Sequence, residues 1–265
     1  MRILLTNDDG IDSQGILLLA KALRTAGHRI FVVAPVTNCS GVSHSLSFLN
    51  RPCRLNEHGK DTWSCEGTPV DCVVIATLGG IPELCFLDKS GNRKAELPVD
   101  IVVSGINRGA NLGTDIVYSG TASAARQGAL INIPSVAFSL VEADGDYSVW
   151  NWDMAVEFIV EHFDRILAYW KPDSFVNVNI PNKQEKPLSL VHAFPAFRCY
   201  NDRIDVYRAP SGQQYCFANA GKIGMVKRDS NSGIISDYEA VEKNCASISE
   251  IYIHPLLLES VIGGG

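Results

Sequence analysis

No stretch of about 18 consecutive apolar residues occurs in this chain, which excludes an ordinary membrane-spanning helix. Basic residues are scarce as well: Lys and Arg total 23 against 29 Asp and Glu, a formal net charge of −6. Such a surface does not suit a nucleic-acid polymer, whose phosphates call for a broad basic face. The start, Met1-Arg2-Ile3, shows no basic leader before a small-residue cleavage site, so a cytoplasmic protein is expected. None of the eight cysteines forms a C-x-x-C pair, which argues against zinc fingers and redox motifs. A chain of 265 residues buries enough core to do without disulfide staples, and most of its thiols are expected to be reduced. Missing too are G-x-G-x-x-G after the first strand, a Walker loop and a G-x-S-x-G elbow. These gaps count against a dinucleotide dehydrogenase, a P-loop NTPase and an α/β-hydrolase.

What is present starts within the first ten residues. Ile3-Leu4-Leu5 is a short apolar run that ends in Thr6-Asn7-Asp8-Asp9-Gly10. It reads as a buried parallel strand stopping at a turn. Open α/β sheets bind their ligands at the carboxyl ends of such strands. Adjacent side chains of an extended strand point to opposite faces, so Asp8 and Asp9 converge only once the chain has turned. Two unit charges roughly 5 Å apart at an effective dielectric of about 20 repel by about 3 kcal/mol. No Lys or Arg follows until Lys21, which makes a divalent cation the economical compensation. Acidic residues also open helices, but Asp12 and Ser13 stand closer to the next helix and leave the pair unexplained.

Ile16, Leu19, Ala20, Leu23 and Ala26 recur at helical spacing before Gly27, and Ile30-Phe31-Val32-Val33-Ala34 is a second strand stopped by Pro35. This opening implies a right-handed parallel crossover. A strand is expected near Leu46–Leu49, with Trp63–Cys65 pairing either with it or with the residues around Arg54. Thr68-Pro69 opens a helix over 71–78. Further strands are expected at 100–105, 134–140 and 175–180, with helices at 121–130 and from Ala155 to Trp170. Residues 1–185 form the expected catalytic core, and 186–265 an extension. Within the extension, Ile204–Arg208 and Gln214–Ala218 flank Pro210-Ser211-Gly212 as a long hairpin, placed either against another subunit or back on its own domain.

Three segments fall at the carboxyl ends of the parallel strands: Asn7–Gly10, Asn38–Ser43, and Ser104–Gly113 continuing to Thr121. Carboxylates, a hydroxyl and an amide carbonyl are hard oxygen donors that suit magnesium or manganese better than zinc. Ser119-Gly120-Thr121 stands at the start of the small-residue helix, where free N–H groups and the helix dipole favour an anion. The same three residues would serve equally as an ordinary N-cap. A metal facing such a helix start suits phosphoryl chemistry.

Asn7-Asp8-Asp9-Gly10, Ser40-Gly41 after Ala34-Pro35, Gly67-Thr68-Pro69 with Asp71-Cys72, and Ser104-Gly105-Ile106-Asn107 through Tyr118-Ser119-Gly120-Thr121 together resemble the stationary-phase survival protein SurE family. The resemblance covers roughly residues 1–140 and implies an α/β, Rossmann-like, mostly parallel sheet flanked by helices. It also implies a C-terminal hairpin and helix extension exchanged between subunits of a homodimer or homotetramer. The implied activity is metal-dependent hydrolysis of nucleoside 5′- and 3′-monophosphates, with one Mg2+ or Mn2+ per subunit. By position the metal ligands are Asp8, Asp9, Ser40 and Asn107, with Asp8 and Asp9 catalytic. Phosphate falls to Asn111, Ser119, Gly120 and Thr121. Either a water, with Asp8 or Asp9 accepting its proton, or a carboxylate itself is the nucleophile. Short-chain polyphosphate as substrate, or a non-catalytic nucleotide-binding stress sensor, are the alternatives. The chain departs from the family at Gln127, where an acid is usual, and at the ending, recast as Asn244–Ser249 and then His254-Pro255-Leu256.

Overall fold

The apolar runs at residues 3–5, 30–34 and 101–103 lie side by side in the middle of one sheet. The structure, a computed structural model, describes residues 1–142, 148–219, 221, 223–226 and 233–255. The part of the recast ending from Leu256 onward lies outside the described residues. The first half runs β1 (Arg2–Thr6), α1 (Gln14–Thr25), β2 (Arg29–Pro35), β3 (Leu55–Gly59), β4 (Thr62–Cys65), α2 (Pro69–Ile75), β5 (Ile101–Arg108) and α3 (Gly120–Leu130). Then follow β6 (Ser135–Val141), α4 (Trp152–Leu167), β7 (Ser174–Pro181), β8 (Leu190–His192), β9 (Phe197–Tyr200), β10 (Arg203–Arg208), β11 (Gln214–Asn219), β12 (Ile223–Val226), α5 (Asp237–Glu242) and β13 (Ala246–Tyr252).

Nine strands form the main sheet in the order β3-β4-β2-β1-β5-β6-β7-β13-β8. All neighbours are parallel except β3 against β4 and β13 against β7. Strand period two divides the core between the faces. Ile3 and Leu5 of β1 join α1 and α4, through Ile16, Leu19, Phe158 and Phe163, on one side. Leu4 joins α2, through Cys72 and Val73, on the other. Ala122, Ala125 and Ala129 let α3 sit close against Ala137 and Phe175 of the sheet. From β1 the chain goes first to β2 on one side and later to β5 on the other, so the carboxyl ends of β1 and β5 border the crevice of a topological switch point.

β8 and β13 lie beyond residue 185 yet complete this sheet, so the expected division at that residue falls among the sheet's own strands. The strand expected near Leu46–Leu49 is not formed; the segment is turn and irregular backbone. Its polar groups are held by the start of α2 instead of a ladder. Ser47 donates its backbone N–H to the Asp71 carboxylate at 3.1 Å, and Thr68 donates its hydroxyl to Ser45 O at 2.6 Å. Asp71 meanwhile completes a capping box with Thr68. Trp63–Cys65 pairs instead with the strand following Arg54, β3 against β4. The long hairpin is present as β10 against β11, with Tyr207 opposite Tyr215. Every one of its strand residues is exposed, so it does not fold back on its own domain. Among the described residues no helix is long and apolar enough to cross a membrane.

Candidate active site

β1 delivers Asn7, Asp8 and Asp9 to the crevice, and the turn that follows is locked locally. Asn7 donates its side-chain amide to Gly10 O at 2.9 Å and to Ser13 Oγ at 2.7 Å. Gly10 has φ +103°, a conformation that side-chain-bearing residues rarely adopt. The Asp8 carbonyl accepts the Cys39 N–H at 2.7 Å, which ties the loop after β2 to the acidic turn.

Asp8 is 3% exposed, and its carboxyl is pushed up to about 6. Burial is the main cause; repulsion from Asp9 adds to it, while the Thr121 hydroxyl bond pulls the other way. Among the described residues no cation pairs with Asp8, although Arg108 lines the same cavity. Asp9 is less buried, and its carboxyl is also raised by burial, against the pull of Arg108. It accepts the Arg108 backbone N–H at 2.9 Å and the Asn38 amide at 3.3 Å.

Asp8, Ser40, Asn107, Asn111 and Ser119 line one cavity of about 670 Å³. Asp9 lines a neighbouring cavity of about 470 Å³ with Asn38, Trp150 and Trp152, and Arg108 borders both. Asn107 donates its amide to Gly109 O at 2.9 Å, so its carbonyl oxygen is the atom left to ligate. Among the described residues no three His, Cys, Asp or Glu side chains cluster for a metal. A cation here would therefore rest on two carboxylates and neutral oxygens. That donor set fits magnesium or manganese, and the desolvated, uncompensated Asp8 is what such an ion would neutralise.

At the start of α3, Ser119 Oγ accepts the Ala122 N–H at 3.0 Å, so this hydroxyl is an N-cap whose own proton is still to be donated. The Thr121 hydroxyl donates to Asp8 and steers the carboxylate. A Cβ on Gly120 would sit 2.8 Å from Asp8 Cβ and 3.0 Å from its Oδ2, so only glycine lets the helix start approach this closely. Asn111 is gripped by residues that sequence reasoning passed over. Its N–H goes to Asn179 Oδ1 at 2.9 Å, its carbonyl accepts from Asn177 at 2.9 Å, and its amide donates to Ser139 at 2.8 Å. Two asparagines two apart in an otherwise apolar strand were the available signal. β9 supplies a further wall with no such signal: Arg198 pairs with Asp115, Tyr200 donates its hydroxyl to the same carboxylate, and both Asp115 and Tyr200 line the larger cavity. His44 is half-buried, with its Nε2 3.0 Å from Gln127 Oε1.

The family model of survival protein SurE matches residues 3–199. The chain belongs to the SurE family. A protein named 5′-nucleotidase SurE from Stenotrophomonas maltophilia strain R551-3 is 38% identical over 96% of this chain and 90% of its own. Another so named, from Xanthomonas campestris pv. campestris strain 8004, is 42% identical over the same shares. The crystal structure of the SurE protein from Aquifex aeolicus superposes with a TM-score of 0.75 at 33% identity, covering 99% of this chain and 97% of that one.

Proposed function

We propose that this chain is a divalent-metal-dependent phosphomonoesterase that hydrolyses nucleoside 5′- and 3′-monophosphates. The relatives named 5′-nucleotidase support the activity. The observation that carries the reaction class is Asp8: a buried carboxylate, in no ion pair among the described residues, touching the start of α3. Asp8, Asp9, Ser40 and Asn107 would hold one Mg2+ or Mn2+. Bound there, the ion would supply Lewis-acid stabilisation of charge on the phosphoryl oxygens.

The chain's own groups divide the remaining work. Thr121 orients Asp8 through its hydroxyl. The Gly120 N–H and the Ser119 hydroxyl meet the phosphate at the positive end of α3, with Asn111 held beside them. Asp8 or Asp9 would take a proton from an attacking water, or attack itself. Phosphate monoesters are among the slowest compounds to hydrolyse unaided, with enzymatic accelerations up to about 10²¹, so positioned charge has to supply most of the effect. The test is phosphate release from AMP with manganese added, then with excess chelator. Release that survives chelation overturns the metal assignment; no release with any divalent metal overturns the activity.

We also infer a homodimer or homotetramer working in the cytoplasm. The hairpin β10–β11 carries Ile204, Val206, Tyr207, Tyr215 and Phe217, each at least half exposed, and a second copy of the chain is what would cover them.

A further inference from the structure

We propose that Tyr118 and Tyr200 form a seat for the nucleobase of the substrate, a subsite built jointly by the loop before α3 and by β9; this rests on the nucleotidase reading above. Both tyrosines line the cavity that contains Asp8, Ser40 and Ser119. They are 56% and 37% exposed, large aromatic surfaces on the wall of an otherwise polar cleft. Their rings meet edge to face, centroids 6.3 Å apart at 83°, an arrangement that leaves a flat face open for stacking.

The seat is held rigidly before any ligand arrives. Tyr200 is fixed by its hydroxyl bond to Asp115, which is in turn neutralised by Arg198. Tyr118 is fixed through its backbone: Ser43 donates its N–H to Tyr118 O at 3.0 Å and its hydroxyl to Val117 O at 2.7 Å. Ser43 belongs to the loop that carries Ser40, so the phosphate end and the aromatic end of the cleft are tied together. Tyr118 is also the residue immediately before Ser119, which sets the ring next to the anion-binding helix start.

Charge decides what such a seat accepts. Asp115 has its cation already, and Asp202 and Arg108 bring one charge of each sign to the same cavity. A neutral, flat ring with N–H donors along its edge is accepted, and that describes a nucleobase. Base–aromatic stacking lost on replacement by alanine weakens binding by about five- to a hundredfold.

The experiment compares AMP with ribose 5-phosphate, which keeps the phosphate and sugar but lacks the base. The wild-type chain is expected to favour AMP in kcat/KM by about tenfold or more, chiefly through KM. Tyr118→Ala should collapse that ratio toward one, and Tyr118→Phe, which keeps the ring, should preserve it. Equal losses on both compounds would make Tyr118 a structural residue and overturn the seat, as would a wild-type ratio near one. If the wild type releases no phosphate from either compound, the nucleotidase reading fails. Direct calorimetric binding of the same two compounds, to wild type and variants, then decides the seat by the same ratio.

Discussion

The acidic rim and the β10–β11 hairpin break opposite rules of protein surfaces. At the rim a charge is buried: Asp8 is 3% exposed, beside a second carboxylate and in no ion pair among the described residues. On the hairpin apolar groups are exposed: Tyr207 at 60%, Ile204 at 60% and Phe217 at 55%. Each is costly alone, and each points to something that binds there. The two differ in what surrounds them. The rim is pinned by Asn7, Thr121, Cys39 and Arg108 and keeps its geometry without help. The hairpin is held chiefly by its own ladder and an edge-to-face pair between Tyr207 and Phe217. A pre-formed site suits catalysis, whereas an exposed ribbon suits an interface completed by its partner.

The strongest test of the rim is Asp8→Asn. Removing one preorganised charged group from a catalytic constellation lowers kcat by about 10²- to 10³-fold. Metal affinity should fall with it, measured by calorimetric titration of Mn2+. Full turnover in this variant would defeat the ligand assignment and leave the buried carboxylate as a structural oddity.

The same substitution should make the metal-free protein more stable, the opposite of what an ordinary deletion does. A carboxyl held at about 6 instead of 3.8 costs the folded chain about 3 kcal/mol at neutral pH. Because the folded value is raised, the cost is absent below about pH 3.8, grows as pH rises to about 6, and is constant above. Melting curves in excess chelator should therefore separate progressively across that window, with the Asn variant higher. A gap that stays the same at all pH values would show that Asp8 is solvated after all.

Next in size is the hairpin. Ile204→Asp places a charge on an apolar position of the exposed strand pair and should weaken self-association by about 2 kcal/mol or more, roughly thirtyfold. Light scattering across a concentration series reads this directly. A wild-type chain that is monomeric at every concentration would remove the analogy between the two regions.

How far each region can be read without coordinates follows from the range of its interactions. The rim is written in short segments: an apolar run into Asp8-Asp9-Gly10, a capping box at Thr68 and Asp71, a helix start at Ser119-Gly120-Thr121. These are local devices, and they recur in the structure. The hairpin's alternation and its Pro210-Ser211-Gly212 turn are equally local. What escaped notice depends on distant partners. Ser45–Ser47 carries strand-like neighbours but is captured by the cap of α2. The insertion of β13 between β7 and β8, and the clasp of Arg198 and Tyr200 on Asp115, join residues that share no pattern along the chain. Asn177 and Asn179 were visible as polar breaks in an apolar strand, yet their target, Asn111, was not.

The finest test lies where α3 meets the loop after β2. Gln127 of α3 contacts the half-buried His44. Burial, with Arg126 nearby, holds the His44 imidazole below its ordinary value, against the pull of the hydrogen bond to Gln127. Gln127→Glu would bury a new carboxylate beside that ring, and their mutual attraction should move the His44 value upward. The sign for stability follows: once the folded value exceeds the unfolded one, the pair's contribution is present at low pH and lost as pH rises through the folded value. Its size should stay below about 1 kcal/mol. Titration of the His44 ring by NMR in both proteins reads the change. An unmoved His44 would mean that the glutamate turns away to solvent, and that a charge placed here, unlike the one on Asp8, is not forced to stay buried.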